Sequence, residues 1–360
     1  MWYTLPEIKG KRVKTMNPMN IVVLAGGTST EREVSLITGK GVYEALKTKG
    51  HKVVLIDVYL GVEDVDLNKV FDDTRDWAAG IEAIAANEPD IEKFKALRKD
   101  GGKCFFGPNV IEICQKADVV FMGLHGANGE DGRIQATLDL YGIPYTGTDY
   151  ISSAICMDKG ITKKFFNMAG IPNAKGYDMN LDEDFKEIGY PVVVKVSTGG
   201  SSVGTYICKD RAEVNHALNE AKKFDDKVVV EEFIKGREFT CGVVDGKALP
   251  IVEIAPKVGF YDFANKYQAG QTNDICPAVL PEDKTLEIQR TAEEAYKVLK
   301  IKNYARIDFM MNEKGDIFCL EANTLPGMTP TSLLPMEAAA VGIDYPSLCE
   351  KLIEISLRNK

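Results

Sequence analysis

The side chains with the most chemistry per position fall in one stretch, YARIDFMMNEKGDIFCLEANTLPGMTPTSLLP, residues 304–335. Two alternating runs flank NEKG, which reads as a hairpin. Facing Met311 with Asp316 sets Arg306 opposite Glu321 and Asp308 opposite Cys319. Alternation then gathers Arg306, Asp308, Glu321 and Asn323 on one face and Ile307, Phe309, Phe318 and Leu320 on the other. Two carboxylates and an amide on one surface are hard oxygen donors, suited to Mg²⁺ or Mn²⁺ bridging nucleotide phosphates. A solvated face of surface ion pairs is the plainer alternative.

Further positions carry weaker signals. Lys195 ends the apolar run VVVKV and is followed by Gly199-Gly200-Ser201-Ser202, a loop whose amides and hydroxyls can cradle phosphate or simply turn a hairpin. Neither the Walker A nor the GxGxxG spacing is present. EEFIKGREF (231–239) ends another apolar strand with carboxylates, either a reader of a base and a ribose or a charged connector. His125 and Glu31 lie where ligands collect on a parallel sheet, though a structural histidine and a carboxylate on a helix dipole are ordinary alternatives. Lys159 and Lys266 read as surface lysines unless phosphates lie near them.

These residues need elements to position them. NIVVLAGG, the amphipathic run to Gly50 and HKVVLIDVYL make a strand–turn–helix–strand unit, hence a parallel sheet, with ADVVFMGLHG as a third strand. Residues 62–103 are charged and helix-prone, and SSAICMDKGITKKFFNMAG reads as helical. From YPVVVKV onward the pattern becomes strand–loop–strand with DG turning one hairpin, which is antiparallel. The expected fold class is α/β plus α+β. Its expected division is an extension at 1–18, a parallel α/β domain over 19–147, and two further units over 148–230 and 231–360.

Composition bounds the rest. The 360 residues hold 44 Lys and Arg against 53 Asp and Glu, a net charge of −9 that offers no basic surplus for nucleic acid. No run approaches the roughly 20 apolar residues of a transmembrane helix, and the start has no secretory signal, so a soluble, cytoplasmic chain is expected. Eight scattered cysteines and three histidines give no zinc spacing and are expected to be reduced core residues.

GGTSTEREVSL, LHGANGEDG, SAICMDK, VVVKVSTGGSSVG, EEFIKGREFT, FYDFANKY, ARIDFMM and LEANTLPGMTPTSLLP occur in the order found in D-alanine–D-alanine ligases of the ATP-grasp superfamily, which the chain resembles over about residues 20–355. The resemblance implies an ATP-dependent ligase that joins two D-alanines through an acyl phosphate for peptidoglycan synthesis. It implies antiparallel sheets enclosing the nucleotide, small-molecule partners only, and a homodimer. Matched by motif, Lys159, Lys195, Ser202, Glu231, Glu238 and Lys266 would hold ATP, with the backbone of Glu232, Phe233 and Ile234 facing adenine. Asp308, Glu321 and Asn323 would hold two Mg²⁺ or Mn²⁺; Glu31 and His125 would line the first D-alanine's pocket. Arg306 and the Gly327 amide would face the oxyanion, Ser332 and Leu333 the second carboxylate, and Tyr267 would close the site through Ser201 and Glu31. The extension before Asn20, the stretch near 60–105 and Thr198-Gly199 depart from the family's pattern.

Relatives that make D-alanyl-D-serine or D-alanyl-D-lactate tend to carry Arg-Tyr after the serine of the last loop, where this chain has Leu333-Leu334, and the D-lactate type lacks the tyrosine found at Tyr267. A non-catalytic nucleotide-binding scaffold would have lost ligands that are all present. The attacking amine must be uncharged, so dipeptide formation from D-alanine should rise with pH, with negligible depsipeptide at neutral pH. Tyr267→Phe should loosen that preference by roughly 1–3 kcal/mol. Product analysis with D-alanine and D-lactate in competition at two pH values checks this; comparable D-alanyl-D-lactate from the unmodified protein at pH 7 would contradict it.

Overall fold

Residues 21–25 are buried to the last atom, as happens to a central strand with both sheet faces covered. In the computed structural model, which describes residues 16–82, 90–200, 204–256 and 272–359, this is β1 (Asn20–Ala25). It lies between β2 (Lys52–Asp57) and β3 (Val119–Met122), all parallel, in the order β2-β1-β3. The crossover from β1 to β2 is α1 (Arg32–Thr48), which turns Val34, Val42, Ala45 and Leu46 inward as their spacing predicts. The 62–103 stretch is not the helical region expected. Its described residues hold a 3₁₀ turn at Val70–Asp72 and the short α2 (Ile91–Lys95), and turns fill most of the rest. Asp66, Asp73 and Asp76 each accept a hydrogen bond from the backbone N–H two residues on, so acidic side chains compete with helix formation here. Two more helices, α3 (Val110–Cys114) and α4 (Arg133–Leu140), frame β3.

The run SSAICMDKGITKKFFNMAG is two helices rather than one. Between α5 (Tyr150–Met157) and α6 (Lys159–Ala169), Asp158 adopts an extended backbone, and its carboxylate caps α6 by accepting from the Ile161 N–H. The break turns Lys159 toward the central sheet, where its N–H donates to the Ser197 carbonyl. That sheet is antiparallel, in the order β4-β7-β5-β6: β4 (Gly176–Asn180), β5 (Val192–Val196), β6 (Thr205–Cys208) and β7 (Lys227–Glu232). α7 (Arg211–Ala221) covers one face through Val192, Val194, Val228 and Val230. Alternation sends Val193, Lys195, Val229 and Glu231 to the other.

The last sheet runs β11-β10-β8-β12-β13, with β9 (Lys247–Ala248) paired to β8 (Gly236–Val244). The DG turn between them holds Asp245 at φ 54° and Gly246 at φ 71°, the left-handed pair of a type I′ hairpin. Then come β10 (Val252–Pro256), β11 (Thr272–Ile275), α8 (Glu282–Val298), β12 (Tyr304–Asn312) and β13 (Ile317–Asn323). Phe239, Cys241, Ile307 and Phe309 bury one face under α6 and α8. The closing helices α9 (Leu333–Ala340) and α10 (Tyr345–Arg358) return to the first sheet: Leu348, Leu352 and Ile353 pack with Val42 and Leu46 of α1.

All eight cysteines are free; six are buried as expected, Cys276 is half-buried and Cys104 is exposed, so the expectation of a core residue fails at Cys104. Leu352 is fully buried between α1 and α10, whereas Glu354 beside it is exposed. Leu352→Ala should cost about 2–5 kcal/mol and Glu354→Ala under about 0.5 kcal/mol. Thermal and urea unfolding of the two variants checks the seam; equal effects would contradict it.

Candidate active site

The β12–β13 hairpin is not in the register read from the sequence. Arg306 pairs with Asn323 and Asp308 with Glu321; a bulge follows, after which Phe309 pairs with Cys319 and Met311 with Ile317. Phe318 and Leu320 therefore leave the greasy face, and Ile317 and Cys319 take their places in the core. Strict alternation from Ile317 through Cys319 would drive Glu321 into that core. One extra residue at Leu320 resets the phase, so Glu321 joins Asp308 on the open face. The four polar residues share a face as expected, by a different register.

Asp308 is the centre of that face. Its two oxygens take Arg306 Nε and Nη2, each at 2.9 Å. Asn323 Nδ2 donates to Oδ2 at 2.9 Å and Thr240 Oγ1 to Oδ1 at 2.6 Å. Thr240 comes from the neighbouring strand, where it pairs directly with Asp308. On the same side Gly242 lets α9 lie against the sheet, because a Cβ there would be 2.2 Å from Glu337 Oε2. The Glu337 carboxyl is fully buried over the Gly242 N–H, and burial pushes its pKa well up.

Facing this surface are Lys195 of the central sheet and Lys159 and Lys163 of α6. Lys159 Nζ donates to the Gly199 carbonyl at 2.7 Å and stands 3.7 Å from Glu321 Oε2. Glu231 is buried between two ammonium groups, Lys195 and Lys163, each at 2.8 Å. Burial alone would raise the Glu231 pKa, but the two lysines hold it down at about 2. Burial likewise pulls Lys195 down, and Glu231 more than offsets it. A pocket between the sheets is walled by Lys159, Lys195, Glu231, Phe166, Val229 and Leu320, the last turned there by the bulge.

A third cluster joins the first domain to the ANTLPG loop. His125 Nδ1 is 3.0 Å from the Leu325 carbonyl, which can only accept, so the ring proton sits on Nδ1 and Nε2 accepts from Thr38 Oγ1 at 2.9 Å. Burial keeps this imidazole below its usual range, hence neutral. Glu130 accepts from the Gly126 N–H at 2.7 Å and the Leu325 N–H at 3.3 Å; burial and then the neighbouring Glu31 push its carboxyl up to about 8. Glu31 is buried at the start of α1, between two glycines where a side chain would displace its carboxylate. A Cβ at Gly126 would be 2.8 Å, and one at Gly200 2.5 Å, from its Oε2. The glycine loop after β5 thus reaches the first domain.

Gly327 lies over Ser332, whose Oγ is 2.7 Å from Thr329 Oγ1 and accepts from the Thr329 N–H at 3.1 Å. Ser332 and Leu333 form the N-terminus of α9. The N–H groups of Glu232 and Phe233 are already donated to the carbonyls of Lys175 and Pro191, and Ile234 is half-buried beyond them. Glu238 is partly buried on β8, opposite Met310. Ser201, Ser202, Lys266 and Tyr267 lie outside the described residues. Sequence reading missed Glu130, Lys163, Thr240 and Glu337 as members of these clusters. Glu130 stood inside the quoted GEDG turn, and Lys163 one helical turn after Lys159; Thr240 and Glu337 carried no local signal.

Among the described residues no three His, Cys, Asp or Glu side chains are grouped to hold a metal. Asp308, Glu321 and Asn323 instead fit an ion that completes its shell with phosphate and water oxygens, the usual habit of Mg²⁺.

Comparison with known proteins gives the family. Residues 20–148 match the family model described as D-ala D-ala ligase N-terminus, and 159–354 the one described as D-ala D-ala ligase C-terminus. The D-alanine–D-alanine ligase of Pediococcus pentosaceus is 44% identical over 345 residues, 93% of this chain and 97% of that one. That of Lacticaseibacillus casei is 43% identical over 347 residues, 94% and 96% of the two chains. The crystal structure of the Bacillus anthracis ligase complexed with ATP superimposes with a TM-score of 0.73 at 33% identity, covering 96% of this chain and 98% of that one. Two family models spanning the described sheets and relatives of matching length lead to one conclusion: the chain belongs to the D-alanine–D-alanine ligase family.

Proposed function

We propose that this chain joins two D-alanines through an acyl phosphate, with ATP as phosphoryl donor and Asp308, Glu321 and Asn323 as ligands of two Mg²⁺ or Mn²⁺. The observation that carries this reading is the Asp308–Glu321 pair with Arg306 on one sheet, facing Lys195 of the central sheet and Lys159 at the start of α6. Residues 19–147 would supply the amino-acid pocket, 148–230 the nucleotide lysines, and 231–360 the ligand and oxyanion face.

A carboxylate oxygen of the first D-alanine attacks the γ-phosphorus, and the bond to the bridging oxygen breaks with ADP leaving. Glu31 holds that substrate's ammonium. Neutral His125 lines the pocket without adding charge. Lys159, Lys195 and Lys266 hold the phosphates with Ser202, while Glu231, Glu238 and the 232–234 backbone hold the nucleoside. When bound, the divalent ions neutralise charge on the phosphates. The second D-alanine binds its carboxylate at Ser332 and Leu333, where the N-terminus of α9 favours an anion. Its amine, as the free base, attacks the acyl carbon. Arg306 and the Gly327 N–H face the oxyanion that develops, and phosphate leaves as the peptide bond forms. Tyr267 closes the site through Ser201 and Glu31. None of the described helices is long and apolar enough to cross a membrane. In this reading the enzyme is a cytoplasmic homodimer that supplies dipeptide for peptidoglycan.

Phosphate release dependent on D-alanine tests the residue assignments. Glu321→Gln should abolish turnover while barely moving the unfolding midpoint, because an amide cannot balance the ions' charge. Near wild-type turnover at limiting Mg²⁺ would remove Glu321 from the ligand set. Arg306→Ala should lower the rate by ~10²–10³. A loss confined to the KM for ATP would make Arg306 a phosphate ligand of the ground state instead.

A further inference from the structure

Lys163 has no part in the steps above, yet it is the more committed of the two partners of Glu231. It sits one turn after Lys159 on α6, 7% exposed, and all of its contacts are within the protein. Nζ donates to Asn173 Oδ1 and Glu231 Oε1, both at 2.8 Å, and to the Ala174 carbonyl. Lys195 takes the other Glu231 oxygen. Lys195, however, is also a phosphate ligand in the reading above; both lysines line the pocket, but the Lys195 side chain is the more exposed, 18% against 8%. An ammonium that turns to phosphate leaves a buried carboxylate with half of its compensation. A buried carboxylate left alone takes up a proton and becomes a donor. Lys163 has no such second task, because a carbonyl, an amide oxygen and the carboxylate already use its three N–H groups.

We propose that Lys163 is the resident counterion of Glu231, a positioning residue that keeps this carboxylate a fixed acceptor and so selects a purine with an amino group at its 6-position over a 6-oxo purine. An amino group donates to a carboxylate. A carbonyl at the same place meets it lone pair to lone pair, and a site built for one hydrogen bond rejects the analogue that lacks it. The proposal rests on the reading that Glu231 belongs to the nucleoside site, and takes its carboxylate to face the base beside the 232–234 backbone.

The test is kcat and KM with ATP and with inosine triphosphate, which differs from ATP only at C6 and N1 of the ring. The unmodified protein should favour ATP by about 100-fold or more in kcat/KM, and Lys163→Met should cut that ratio at least about tenfold, chiefly through the KM for ATP. Lys163→Arg, which keeps the charge, should hold the ratio within about threefold of the unmodified protein. Glu231→Gln should collapse it as Lys163→Met does. If Glu231→Gln collapses the ratio and Lys163→Met leaves it intact, Lys163 is merely structural and the proposal falls while the base reading stands. If Glu231→Gln leaves the ratio intact, the base reading itself falls. Should Lys163→Met fail to fold, the double variant with Glu231→Gln decides. Recovery of the fold means that Lys163 serves the charge of Glu231; continued failure means that it serves only the 173–174 segment, and the proposal is overturned.

Discussion

The cleft must keep opposite charges facing each other across a gap without letting them collapse into salt bridges that fill it. Lys195 of the central sheet and Lys159 at the start of α6 stand on one side, Asp308 and Glu321 on the other, and Lys159 comes within 3.7 Å of Glu321. Charges this far from bulk water attract strongly, and each is costly when uncompensated. The fold meets both demands by giving most of these charges partners on their own side: Asp308 has Arg306, Asn323 and Thr240; Glu231 has Lys163 and Lys195; Lys159 has the Gly199 carbonyl; Glu321 has Lys159 across the gap at 3.7 Å. Charge is thereby stored in the resting protein and remains available to a polyanion entering between the sheets.

Everything else keeps those two faces aimed. Each antiparallel sheet is apolar on its far side, under α7 in one case and under α6 and α8 in the other, so neither can roll over without exposing its core. The last helices tie the third sheet to the first through Leu352 and its neighbours, fixing where the ANTLPG loop meets His125 and Glu130. At Gly200 and Gly126 a side chain would press on the Glu31 carboxylate. This cluster, the proposed amino-acid pocket, is thus assembled from stretches of chain far apart in sequence.

Much of this was legible in the residues. Buried parallel strands, the DG hairpin and the shared face of Arg306, Asp308, Glu321 and Asn323 follow from periodicity of two and from turn chemistry. What escaped was whatever depended on a partner far along the chain. The bulge at Leu320 has no local mark: it exists because Cys319 is wanted in the core and Glu321 in the cleft, two demands known only once α6 and α8 cover the sheet. Asp158 broke a helix that propensity favoured because its side chain caps the next one. Lys163 and Thr240 became members of the site through pairing with Glu231 and Asp308, which sequence spacing does not reveal.

The division of labour between the sheets makes one chemical claim above all: the carboxylate of the first D-alanine attacks phosphorus, so its own oxygen later leaves in phosphate. D-alanine labelled with ¹⁸O in both carboxylate oxygens, incubated with unlabelled ATP and the protein, puts that claim to mass spectrometry of the products. An acyl phosphate requires one ¹⁸O in each phosphate released and none in the nucleotide. Label in AMP, or phosphate carrying no label while dipeptide accumulates, would contradict it.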